Sequence, residues 1–111
     1  MEKVRRHLSL HREVTAVFAT EFAIARIVET AVRRLERRIP QDLSIICFDN
    51  PMRYELEPHF THLRQREFEM GMQAAQLAYD HVTGSPDIRK IRLAAELVLG
   101  PTSAPPPKNI S

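Results

Sequence analysis

Cysteine occurs once and glycine three times in the 111 residues, and neither a long apolar run nor a large excess of one charge is present. The single cysteine, Cys47, excludes an intramolecular disulfide. It lies within the apolar run Leu43-Ser44-Ile45-Ile46-Cys47-Phe48, where a buried inert thiol is a better reading than a nucleophile. No Gly-rich phosphate loop, Ser-His-Asp arrangement or zinc-ligand spacing appears, so neither enzymatic activity nor a cofactor is expected. The amino terminus, Met1-Glu2-Lys3-Val4-Arg5-Arg6, leads into no apolar run long enough for a signal peptide or a membrane span. A cytoplasmic protein without a membrane partner is the expectation. The formal net charge is +2. Residues 1–39 hold nine Lys/Arg against five Asp/Glu, and residues 40–111 hold seven against nine. A dedicated nucleic-acid surface is usually more one-sided.

The patterning that is present alternates strands and helices. Residues 3–11 read as a short helix on Val4, Leu8 and Leu10. Residues 15–19, a run of β-branched, aromatic and small apolar side chains, suit a buried strand. Thr20 is placed to cap a helix whose inward face is Phe22, Ala23, Ile27, Ala31 and Leu35, and Pro40 is expected to end it. A second buried strand covers residues 43–48 and is broken by Asp49-Asn50-Pro51. A shorter strand covers residues 60–64. Residues 67–82 form a helix with Phe68, Met72, Ala75 and Tyr79 on one face, stopped by Gly84-Ser85-Pro86. Residues 91–99 read as a last strand. The order is that of an α/β layered domain with a mostly parallel sheet and flanking helices. Ligands of such sheets bind beyond the carboxyl ends of strands. Thr20-Glu21 and Asp49-Asn50 stand there.

Several ordered pieces resemble the LacI/GalR family of bacterial repressors. These are Val17-Phe18-Ala19-Thr20, Ala25, then Ile39-Pro40-Gln41-Asp42-Leu43-Ser44-Ile45-Ile46-Cys47-Phe48-Asp49-Asn50. Pro58, Phe60-Thr61, Leu63-Arg64-Gln65 and Glu69-Met70-Gly71 follow, and Glu96-Leu97-Val98 with Thr102-Ser103-Ala104-Pro105-Pro106 closes the series. The resemblance covers residues 14–106 in one register. It implies part of a periplasmic-binding-protein-like (Rossmann-like) lobe, the C-terminal portion of an effector-sensing domain over residues 14–104. Residues 1–13 form an N-terminal segment, and residues 105–111 are expected to be a disordered tail. Nothing resembles a helix-turn-helix, so DNA is expected as a partner only through such a domain outside these residues.

The resemblance also implies site residues. Asp49 matches an aspartate that accepts hydrogen bonds from effector hydroxyls, and Gln65 matches a glutamine in the crossing between lobes. Glu21 stands where the family has a ligand-binding asparagine. The implied effector is a small polyhydroxy molecule of sugar or nucleoside type, and the implied assembly is a homodimer through Phe22, Arg26, Met52, Tyr54 and Leu56. The chain departs from the family pattern at Phe22, at Ile27, Glu36 and Cys47, where the family has glycines, at Arg66, and at Gly100, where it has arginine. A truncated dimerisation module without effector binding is the alternative. A protein that binds nucleic acid through its basic first helix ranks last.

Read from residues alone, Asp49 is better suited to capping its own turn than to holding a ligand. His7 and His11, four apart, and Glu57 with His59 and His62 have metal-ligand residue types but lack a completing motif, so no metal is expected. The arginines between Arg33 and Arg38 suit a solvated helix end.

Overall fold

A computed structural model describes residues 1–49 and 59–108. The elements are α1 (Glu2–Leu10), β1 (Ala16–Ala19), α2 (Phe22–Arg34), β2 (Ser44–Phe48), β3 (Thr61–Arg64), α3 (Glu67–Val82) and β4 (Glu96–Val98). The four strands form one sheet in the order β1-β2-β3-β4. Strands β1 and β2 are parallel with Val17 opposite Ile45, and β2 and β3 are parallel with Cys47 opposite His62. The chain divides into two compact units. One holds residues 1–64 and the chain from Leu97 onward, and the other is Gln65–Glu96. The mixed α/β architecture with a mostly parallel sheet agrees with the sequence expectation.

In the first unit, alternation along β2 turns Ile45 and Cys47 to the helix-covered face. There they join Leu8, Ala19, Ala25, Val28, Val32, Leu43 and Phe60 in one core. Helix α2 covers that face with Ala25, Val28, Ala31 and Val32. The expected inward face was drawn differently: Ala23 is exposed and Ile27 is 40% exposed. The apolar residues of α2 are broader than one stripe, and packing selects the part that carries Ala25, Val28 and Val32. Phe22 and Leu35 are half-buried against the core.

Both ends of α2 differ from expectation. Glu21, not Thr20, is the N-cap residue, in an extended conformation with no side-chain cap. The helix stops at Arg34, five residues before any steric effect of Pro40 on Ile39 is felt. The cause is a Schellman turn: the Arg37 amide bonds Val32 O at 3.2 Å and the Glu36 amide bonds Arg33 O at 3.0 Å. Glu36 occupies the left-handed position at φ 57, which favours glycine.

The segment after β4 is fastened to the sheet through hydroxyls. The Ile45 amide bonds Thr102 O at 2.8 Å, and Thr102 Oγ1 donates to Ile45 O at 2.6 Å while accepting the Thr61 amide at 3.0 Å. Ser44 Oγ exchanges bonds with the Ala104 backbone, and Thr61 Oγ1 meets Ser103 Oγ at 2.6 Å. Gly100 lies so close to the Phe60–Thr61 peptide that a Cβ there would meet Phe60 C and Thr61 N at 2.8 Å. An arginine, as the family has at this position, does not fit this backbone approach.

The second unit is the 16-residue helix α3 with its trailing chain. Its bounds match those read from the periodicity. Its burial does not: no α3 residue is buried, and Phe68 is 82% and Tyr79 65% exposed. Local contacts support it instead. Arg89 pairs with Asp80 at 2.6 Å, Gln76 bonds Asp80 at 2.9 Å, and Arg66 Nε donates to Ala94 O at 3.1 Å. The helix ends at Thr83, followed by Gly84 at φ 104. The last strand covers Glu96–Val98 rather than residues 91–99, since residues 91–95 and Leu99 take no strand conformation.

Candidate ligand site at the carboxyl ends of the strands

The register of β1 and β2 places Ala19 opposite Cys47. The residues that follow each strand therefore emerge at the same edge of the sheet: Thr20 and Glu21 from β1, Asp49 from β2. Glu21 is exposed, and its carbonyl takes the first helical bond of α2 from the Ala25 amide at 3.0 Å. Its carboxylate makes no cap, which leaves the acceptor directed to solvent rather than spent on the helix.

Asp49 is half-buried, with φ 72. Aspartate tolerates this conformation better than most residues. Two bonds fix its backbone. The amide donates to Leu63 O at 2.7 Å, tying the end of β2 to β3, and its carbonyl accepts from Cys47 Sγ at 3.2 Å. Burial pushes the Cys47 thiol up to about 11, with the Asp49 carboxylate adding to the effect. Cys47 is thus a neutral donor that orients Asp49, as its inert assignment requires. Gln65 follows β3 at once, is half-buried, and opens the second unit. The fold brings Glu21 and Asp49 to one sheet edge, while Gln65 belongs to the other unit.

The residues expected at a dimer contact fall in two groups. Phe22 packs edge-to-face on Phe60 with ring centroids 5.6 Å apart, so much of its ring is spent within the unit. Arg26 is exposed, its guanidinium 6.0 Å from the Phe22 ring centroid. Beside it α2 leaves Ala23, Ile24 and Ile27 exposed. Met52, Tyr54 and Leu56 lie outside the described residues, as do Glu57, the Asn50-Pro51 break and the last residues of the expected tail.

Reading the sequence missed one pair whose acid is buried and whose histidine is half-buried. Glu29 of α2, 9% exposed, accepts from His59 Nε2 at 2.7 Å, with Arg33 a further 3.8 Å contact. His59 also stands edge-on to Phe60 at 4.5 Å. This joins α2 to the chain entering β3 and gives His59 a structural partner. The only signal was an acid set among apolar positions of α2. His62 is likewise buried, its Nδ1 donating to Phe60 O at 2.9 Å. His7 and His11 stack at 4.4 Å, and His11 bonds Glu13. Among the described residues no three His, Cys, Asp or Glu stand together as a metal would need, and no helix is long and apolar enough to cross a membrane.

Comparison with known proteins bears on this arrangement. Residues 2–103 match the periplasmic binding protein-like domain family. The chain is 28% identical over 105 residues to the ribose operon repressor of Halalkalibacterium halodurans, covering 92% of this chain and 32% of that protein. It is 33% identical over 78 residues to the HTH-type transcriptional repressor CytR of Escherichia coli, covering 69% of this chain and 23% of CytR. The chain belongs to the LacI/GalR family of transcriptional regulators. A LacI family regulator from Bifidobacterium animalis superposes with a TM-score of 0.80 at 30% identity, over 95% of this chain and 39% of that one. The LacI family regulator of Enterococcus faecium with bound ribose superposes at 0.73 and 27% identity, over 93% and 39%. This LacI-family chain thus spans about a third of the length of the ribose operon repressor it matches.

Proposed function

We propose that the chain is part of the effector-sensing domain of a LacI-type regulator and contributes to the binding of a small polyhydroxy effector, of sugar or nucleoside type. The observation that carries this reading is the emergence of Glu21 and Asp49 together at the carboxyl edge of a parallel sheet, within a match to a sugar-responsive family. Asp49, held by its own backbone bonds, offers a carboxylate that accepts effector hydroxyls, each worth about 1.5–3 kcal/mol when desolvated. Gln65 offers both a donor and an acceptor. Glu21 accepts only, so it selects a hydroxyl or ammonium donor where an asparagine would serve either role. No bond-making chemistry is involved. An effector acts by its differential affinity for two lobe arrangements, shifting the affinity of the whole regulator for DNA. DNA contact belongs to a helix-turn-helix domain such as the name of CytR records. Homodimerisation through Arg26 and the neighbouring apolar surface of α2 completes the reading.

A thermal-shift titration with ribose and a panel of sugars and nucleosides tests it. One member is expected to raise the melting temperature in a saturable way, and Asp49→Ala to abolish the rise. An undiminished response in that variant removes Asp49 from the site.

The alternative is a dimerisation module without effector binding. The non-glycine Glu36 in a left-handed turn and the departures at Phe22 and Cys47 favour it. It predicts a stable dimer in sedimentation and no stabilisation by any effector of the panel.

A further inference from the structure

A hollow of about 310 Å³ opens in the first unit between α1, β1 and α2. Its walls are Val4, Leu8, Val17 and Val28, and Lys3 and His7 complete its lining. Small-molecule pockets occupy about 300–1,000 Å³ and combine apolar walls with a few polar groups. Glu21, Asp49 and Gln65 do not line it.

The charges around this hollow are sorted. Glu2 is held by Arg5 through bonds of 2.9 and 3.2 Å, and Glu13 by His11 at 3.1 Å. His7 is stacked on His11. Among the described residues Lys3 has no carboxylate partner, and a lysine lays its stem along apolar surface while its ammonium stays at the lip. An apolar cleft with a lysine in its lining complements a molecule with an apolar body and a single anionic head. A sugar lacks the body, and a neutral apolar solute leaves the ammonium unused.

We propose that this hollow binds an amphipathic monocarboxylate, its hydrocarbon part against Val4, Leu8, Val17 and Val28 and its carboxylate at Lys3. The site is separate from the proposed effector site and does not depend on it.

NMR titration of the 111-residue chain with octanoate, using octanol and octylamine as comparisons, tests the assignment. Octanoate is expected to shift the methyl signals of Val4, Leu8, Val17 and Val28 and to bind more tightly than octylamine. Lys3→Glu, at an exposed position, is expected to weaken octanoate about fivefold and leave octanol unchanged. Val4→Phe, which fills the hollow from α1, is expected to weaken both, with the amide spectrum reporting that the sheet is intact. Absence of saturable binding, equal affinity for octylamine, indifference to Lys3→Glu, or shifts confined to other residues each overturns the proposal.

Discussion

Helices α2 and α3 each carry an apolar stripe, yet one is built into a core and no residue of the other is buried. Helix α2 buries Ala25, Val28, Ala31 and Val32 on a parallel sheet, whereas α3 buries nothing and leaves Phe68 and Tyr79 largely in water. An isolated helix of this length is marginal in water, and most helical stability in proteins comes from packing an amphipathic face. Amphipathicity therefore records which face a helix is made to cover, and the rest of the fold decides whether anything lies under it. The ribose operon repressor that the chain matches is about three times as long as the matched stretch.

The sharpest way to break this contrast is a matched pair of truncations. Phe60→Ala, in the core of the first unit, is expected to cost about 3–5 kcal/mol in urea unfolding followed by circular dichroism. Phe68→Ala in α3 is expected to stay within about 0.5 kcal/mol. Equal costs would mean that α3 is packed in solution after all. Hydrogen exchange offers the same comparison without mutation: α2 amides are expected to be protected far longer than those of α3.

Next in size is the hydroxyl fastening. Thr102→Val removes the donor to Ile45 and strands the buried Thr61 amide, and is expected to cost about 1–3 kcal/mol. Its effect belongs to the sheet unit, so the helical signal of α3 should not change before the main transition. Smallest is a gain. Glu36→Gly relieves the left-handed residue of the Schellman turn and is expected to stabilise the first unit by about 1 kcal/mol. Differential scanning calorimetry reads this directly, and a loss would mean that the Glu36 conformation is not the one described.

Much of the site was legible because its residues follow strands in a simple order. Glu21 and Asp49 stand one or two positions beyond runs whose β character is plain in the sequence, so their meeting at one edge needs only that those strands be parallel neighbours. The Glu29–His59 pair was not legible, since its members are thirty positions apart and belong to a helix and a turn. The early end of α2 was hidden for a different reason. A left-handed turn announces itself through glycine, and here the position holds Glu36. Gly100, by contrast, looked like the loss of an arginine until the sheet revealed a backbone approach that admits no Cβ.

Local pattern alone determined the elements: the bounds of α3, the cores of β1 to β3, and the edge on which Glu21 and Asp49 emerge. Tertiary structure decided which stripe of α2 faces inward, where that helix stops, what Thr102 and Gly100 are for, and that no residue of α3 is buried. The physical reason is that periodicity and turn chemistry act over a few residues, whereas burial depends on surfaces that the chain brings together from far apart.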